Sequence, residues 1–306
     1  MILFLTKRLL QTIPVIIGVT LVVFLIMQMV PGDTAQILAG EGASQETVED
    51  LREEYGLDQP LHVQYIDYMS GVIKGDFGNS LRNNQSVSNE IMSRLPISVE
   101  LALYSTFITV VLGVIAGIAS AIRPNSISDM TVMIVTLLGI SFPSFFLGIL
   151  LMYFFSVQLG WLPVSGWESF RHMILPAFAL GASGAAIVAR MTRSSMLEVV
   201  RQDYMRTAKA KGLSAYLIIY KHALRNALIP VITVVGLQFG ALLGGTVLIE
   251  SVFAINGLGR LIVESIRMRD LPMVQGGVLV ASLVFVFVNL LVDILYKFFN
   301  RRIDIN

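Results

Sequence analysis

Three histidines, His62, His172 and His222, are the side chains best suited to act as bases near neutral pH, and they are scattered without metal-ligand spacing. The chain has no cysteine, which removes disulfides, Cys-based zinc sites and a thiol nucleophile. Gly181-Ala182-Ser183-Gly184 matches G-x-S-G, the pattern of a serine nucleophile in some intramembrane proteases. Such a serine needs a base within hydrogen-bond reach, and no histidine falls inside an apolar stretch. Small residues that let helices pack closely are the better reading. Neither a phosphate-cradling G-x-x-x-x-G-K loop nor H-E-x-x-H occurs. The usual nucleotide-binding and metalloprotease chemistries are therefore absent.

Carboxylates within apolar segments are functional candidates, because burying a charge there costs several kcal/mol. Glu100, Glu250 and Asp293 are the three found, all near segment ends. Glu100 and Glu250 are expected to reach water, and Asp293 to pair with Lys297 four residues on. Helix middles free of charge argue against proton relays, voltage sensing and ion-driven carriage.

These residues belong to a chain that is 55% hydrophobic and only 14% charged, with mean hydropathy +0.74. Soluble domains carry about 25% charged residues, so this is an integral membrane protein. Six stretches reach the roughly 20 apolar residues of a spanning helix: Leu9–Val30, Ser98–Ile122, Thr131–Val157, Met173–Ala189, Ala227–Val252 and Pro272–Tyr296. The fourth is the shortest. The first follows Lys7 and Arg8, but at about 22 residues it is too long for a signal-peptide core and reads as an uncleaved anchor. Strand alternation of the barrel type is missing, so an all-α six-helix bundle, a single domain over 1–306, is expected.

Residues 1–8, 123–130, 190–226 and 297–306 carry 14 Lys+Arg against 4 Asp+Glu. The opposite segments, 31–97, 158–172 and 253–271, carry 8 against 14. The positive-inside rule then places both termini in the cytoplasm and 31–97 outside. Within 31–97, Val48, Leu51 and Tyr55 recur at helical spacing after Ser44, a candidate N-cap, with Gly56 as a stop. Pro60 opens a second amphipathic stretch through Leu61, Tyr65 and Met69, and Asn256-Gly257-Leu258-Gly259 reads as a turn before a helix from Leu261 to Met268. Pro143 should kink the third span. Gly236, Gly240 and Gly244, like Gly113 and Gly117, recur at four-residue spacing. Such faces serve either packing within the chain or an interface with a second bundle.

The inner loop 190–226 holds eight basic residues, no proline and Gly212 as its one glycine. Asp203–Lys211 is helix-compatible, with Leu197, Tyr204 and Ala208 able to share an apolar stripe. Anionic lipid or a cytoplasmic partner could each face such a loop.

Here the sequence resembles the permease subunits of ATP-binding-cassette importers, dipeptide/oligopeptide/nickel branch. Their signature E-A-A-x-x-x-G corresponds to Arg206-Thr207-Ala208-Lys209-Ala210-Lys211-Gly212, which keeps Ala208 and Gly212. The departures match the branch pattern R-T-A-x-A-K-G, followed by His222-Ala223-Leu224-Arg225-Asn226-Ala227-Leu228-Ile229-Pro230. Val30-Pro31-Gly32-Asp33, Gly56-Leu57-Asp58-Gln59-Pro60-Leu61, Gly75-Asp76-Phe77-Gly78, Gly139-Ile140-Ser141-Phe142-Pro143 and Asn256-Gly257-Leu258-Gly259-Arg260 extend the likeness along nearly the whole chain.

The resemblance implies a six-span bundle of the type I importer permease kind in a bacterial cell membrane, surrounded by lipid. It implies a second permease subunit, two cytoplasmic ATPase subunits and an extracytoplasmic binding protein that delivers the solute. Nucleic acid is not an expected partner. ATP and Mg would be bound by the ATPases, so this chain is expected to hold no cofactor and to catalyse no reaction. Asp203, Tyr204, Arg206, Thr207, Ala208, Lys209, Lys211 and Gly212 would form the ATPase-coupling loop. The cargo stays open among dipeptides, longer peptides, glutathione-like peptides, nickel complexes and sugars. A self-sufficient channel or secondary carrier is the alternative, for which the sequence supplies no filter, carboxylate relay or evident broken helix pair. Because the chain has no cysteine, topology can be read from single replacements. A His62→Cys variant should react with an impermeant thiol reagent added outside intact cells; labelling only after the cytoplasmic face is opened would overturn the orientation.

Overall fold

The computed structural model describes residues 2–29, 32–40, 42–214 and 216–299. Among them lie the helices α1 (Ile2–Met29), α2 (Thr34–Ala39), α3 (Gln45–Glu54), α4 (Leu61–Ile73), α5 (Val87–Ile122) and α6 (Ile127–Ser141), followed by α7 (Ser144–Leu151), α8 (Phe170–Val200), α9 (Asp203–Ala210), α10 (Leu224–Val252), α11 (Leu258–Met268) and α12 (Leu271–Phe299). π-Helical turns extend α7 through Met152–Gln158 and precede α10 at Leu217–Ala223. Val30 and Pro31 lie outside the described residues, as do the side chains of Asp293 and Lys297.

The all-α membrane architecture agrees with the sequence. Among the described residues, five helices are long and apolar enough to cross a membrane, and α6 with the α7 segment passes the same test as a bent pair, a sixth candidate. That span departs from expectation, because the kink at Pro143 is a 104° break. A residue before proline is pushed out of the α region, and Phe142 is extended at ψ 129°. Pro143, at φ −58°, then stands at the N-cap of α7. The fourth span also differs. α8 runs to Val200, so residues 190–200 of the expected loop are helix. Its arginines lowered the apparent hydropathy without breaking the helix.

The chain divides into two compact units. The larger comprises 97–256 and 287–306, and within it α8 supplies many of the buried residues. Glycines let α5 and α8 approach closely. A Cβ on Gly113 would stand 2.8 Å from the Ala185 carbonyl oxygen, one on Gly117 2.6 Å from that of Ala189, and one on Gly181 2.6 Å from that of Ser105. Thr109 Oγ1 donates to the Gly181 carbonyl at 2.9 Å. Gly181 and Gly184, the ends of the G-x-S-G tetrapeptide, therefore serve packing against α5. Leu175, Leu180, Ile249, Phe253 and Ile255 fill a core nearby.

The smaller unit comprises 1–96 and 257–286. Ser44 caps α3 by accepting from Thr47 N, Gly56 turns the chain at φ +62°, and Pro60 precedes α4, all as the sequence suggested. Tyr65 of α4 meets Thr20 of α1, hydroxyl to hydroxyl, at 2.9 Å. Val87, Ile91, Leu258, Leu261, Met273 and Val280 form its core. The buried Asp270 carboxylate accepts from Ser80 Oγ and from Leu81 N.

The α5–α8 contact yields a contrast. Gly181→Val forces a side chain into backbone oxygen and should destabilise by about 1–3 kcal/mol, the usual range for overpacking. Gly244→Ala, inside α10, meets nothing within 4 Å and should be neutral to stabilising by up to about 1 kcal/mol. Thermal unfolding of the detergent-purified chain measures both, and equal melting temperatures would refute the seam.

Candidate functional site

α9 begins after the Arg201–Gln202 turn that ends α8. Asp203 sits in its first turn and Lys209 in its last, each favourably placed on the helix dipole. Gly212 adopts φ +75° with nothing within 4 Å of a Cβ, so backbone conformation and not space calls for glycine there. The backbone N–H groups of Lys211 and Leu213 return to the carbonyls of Thr207 and Ala208 and close the helix.

Asp203, Tyr204, Arg206, Thr207, Lys209, Lys211 and Gly212 are exposed together on this short element, and Ala208 is half-buried. The expected Leu197–Tyr204–Ala208 stripe needs correction. The buried residue is Met205, 2% exposed, in a cluster with Met196, Ala223 and Ala227. Tyr204 instead accepts a hydrogen bond from Asn226 Nδ2 at 3.0 Å. The helix rotates this way because methionine, unlike tyrosine, can be buried without a hydroxyl to satisfy. Arg206 reaches Asp203 at 3.7 Å, an exposed pair.

The interface candidates separate. Gly236 packs within the chain, since a Cβ there would lie 2.2 Å from Val292 Cγ1. Gly240 is buried and Gly244 is exposed. These placements do not bring the three together as one open face.

Sequence reasoning missed the burial of Glu250 and Asp129, as it did that of Asp270 in the smaller unit. Glu250, expected to reach water, is wholly buried, and Ser98 Oγ donates to it at 2.5 Å. It belongs to the last turns of α10, against which Phe253 and Ile255 fold back. Glu100 does keep partial exposure and accepts from Trp167 Nε1 at 3.0 Å. Asp129 lies in the first turn of α6 and is held by Arg193 of α8 in a two-pronged pair, Nε to Oδ1 and Nη2 to Oδ2, each 2.7 Å. Ser120 Oγ and Asn125 N also donate to the Asp129 carboxylate. The sequence does carry a signal here. Ser126-Ile127-Ser128-Asp129 has capping-box spacing, and Ser126 Oγ accepts from Asp129 N at 3.3 Å.

The smaller unit holds a cavity of about 350 Å³ lined in part by Tyr68 and Gln275. The Tyr68 hydroxyl and the Gln275 amide nitrogen are buried with no hydrogen-bond partner among the described residues. Burial raises the Tyr68 pKa above that of an ordinary tyrosine.

Comparison with known proteins places this geometry. Residues 110–305 match the family described as binding-protein-dependent transport system inner membrane component, and residues 1–102 match its N-terminal counterpart. The glutathione transport system permease protein GsiC of Salmonella typhi is 48% identical over 297 residues, covering 97% of each chain. The dipeptide transport system permease protein DppB of Alkalihalophilus pseudofirmus is 45% identical, covering 97% of this chain and 98% of the relative. Among solved structures, the MetNI methionine ABC transporter in an inward-facing form matches at TM-score 0.58 and 21% identity, over 69% of this chain and 96% of that one. An amino acid ABC transporter with histidines matches at TM-score 0.53 and 17% identity, over 71% and 95% respectively. These likenesses cover both the spans and the α8–α9 region just described: the chain belongs to the binding-protein-dependent transport system inner membrane component family and is a multi-pass membrane permease.

Proposed function

We propose that this chain forms, with a second permease, the passage of an ATP-driven importer for short peptides, and that α9 is the helix through which ATPase subunits act. The observation that carries this reading is α9 itself. It is a short helix held by one buried methionine, with Arg206, Lys209 and Lys211 exposed. A surface so weakly anchored to its own chain and so accessible is suited to sit in a groove on another protein. The charge division of the loops supports a cytoplasmic location for α9 and for both termini. A binding protein on the opposite side would deliver the cargo.

Peptide cargo is supported by the curated relatives, whose names specify glutathione and dipeptides. We assign nucleotide and Mg binding to the ATPase subunits and none to this chain. Gly244, exposed and without a neighbour within 4 Å, is the member of the glycine series best placed to meet the second permease. Selectivity would rest mainly with the binding protein, since the span centres hold no charged group.

Two measurements test this. The chain reconstituted with its partner subunits should accumulate labelled glutathione or dialanine only when ATP is inside the ATPase-bearing compartment. Accumulation by the chain alone would establish an autonomous carrier instead.

The second addresses α9. Ala208→Trp or Gly212→Val should leave membrane insertion intact while abolishing ATPase pull-down and uptake. The valine cannot cheaply adopt the positive φ of Gly212. Arg206→Ala should weaken docking less than tenfold, because a water-exposed ion pair is worth about 0–1 kcal/mol. Full docking and uptake by both of the first two variants would move the coupling surface elsewhere.

A further inference from the structure

We propose that the Asp129–Arg193 pair makes α6 a lever driven from the α8–α9 corner, so that movement of α9 is delivered to the break between α6 and α7. The two residues would be positioning residues of the transport cycle, touching neither cargo nor ATPase. The proposal rests on the permease reading above and adds to it the route of transmission.

Three observations carry it. First, the tie is strong and buried. Two parallel hydrogen bonds of 2.7 Å join Arg193 to Asp129, whose side chain is 5% exposed. The geometry is the two-pronged one that fixes orientation as well as distance. Ser120 of α5 and the backbone of Asn125 add two donors, so the carboxylate is saturated and cannot exchange partners without leaving a buried donor unpaired.

Second, the tie joins the right elements. Arg193 stands two turns before the end of α8, and α9 follows after Arg201 and Gln202. Third, α6 has a joint at its other end. Asp129 lies in its first turn, and its last residue, Ser141, precedes the extended Phe142 and Pro143 of the 104° break. A helix of this length is about 22 Å long. Tied to α8 at its base and packed along it as far as Gly139, where a Cβ would lie 3.6 Å from the Ala182 carbonyl oxygen, it moves with α8 and delivers that shift as a change of angle at the break. Coupling of this kind requires an element whose arrangement both ends can bias, and α6 is so placed.

The test uses the assembled transporter, with pairs of cysteines introduced into the cysteine-free chain for spin-label distances. One pair, Met130→Cys with Glu198→Cys, reports whether the base of α6 moves with α8. The other, Leu138→Cys with Ile149→Cys, reports the angle at the break. All four sites are exposed. On trapping with ATP and vanadate, the first distance should stay constant and the second should change. With Asp129→Asn added, the first distribution should broaden and the ATP-dependent change in the second should vanish.

Glutathione imported per ATP hydrolysed should fall at least tenfold in Asp129→Asn, with ATPase still bound, and recover in Asp129→Glu. A purely structural role would lower the amount of assembled transporter without altering that ratio. Where Asp129→Asn leaves too little protein, the double variant Asp129→Asn/Arg193→Gln removes the stranded buried charge, and the same loss of ratio is expected. An unchanged ratio in either variant, or an undiminished ATP-dependent change at the break, refutes the lever while leaving the permease reading intact. Failure of the unsubstituted chain to bind any ATPase refutes that reading, and the lever with it.

Discussion

Lipid tails are as apolar as leucine, so nothing like the hydrophobic effect pushes helices together inside a membrane. Close backbone approach has to supply the attraction through many small dispersion contacts. In the larger unit that approach rests on Gly113 and Gly117 of α5 and Gly181 and Gly184 of α8. Because these positions carry no side chain, each helix reaches the carbonyls of the other, and Thr109 reaches across to bond one of them. The same contact fixes how far α8 is rotated, and hence where Arg193 points and where α9 begins.

The polar groups of the protein follow one pattern at the helix ends. Asp129, Glu250 and Asp270 are all buried, and each accepts from a serine hydroxyl: Ser120, Ser98 and Ser80 respectively. Serine suits this task because it offers a donor on a short side chain that loses little rotamer freedom when ordered. Each hydroxyl supplies one donor that offsets part of the cost of keeping the carboxylate from water. These three carboxylates sit at helix ends and are tied there by hydrogen bonds.

Features decided by neighbours in the chain were legible in the sequence. Ser44 as a cap, Pro60 as a helix opener, Gly56 and Gly212 as stops, and the turn at Asn256-Gly257 all depend on local geometry, and all are in place. The bundle was legible because hydropathy over about 20 residues is a strong signal. Tertiary pairing was not. Asp129 and Arg193 are 64 positions apart, and each scored as part of a charged loop. Glu250 looked solvated because its burial depends on Ser98, 152 positions away, and on the chain folding back through Phe253 and Ile255 in place of leaving the helix end open to water. Within α9 the helix was readable but its rotation was not, since Tyr204 and Met205 are both plausible anchors until Ala223 and Ala227 are positioned.

The anchoring of α9 has a thermodynamic corollary. A segment opens locally at a free energy set by what it buries, so one protein can contain regions that open at very different costs. α8 buries residues along most of its length, whereas α9 buries Met205 alone. Removing a buried methionine side chain costs about 2–5 kcal/mol, so that side chain and one tyrosine–asparagine bond largely set how often α9 detaches. Backbone amides of α9 should therefore exchange with solvent deuterium far faster than those in the middle of α8, and contact with a larger partner would slow them in proportion to its own affinity. The residence of α9 on the rest of the chain is therefore governed by very few contacts of its own.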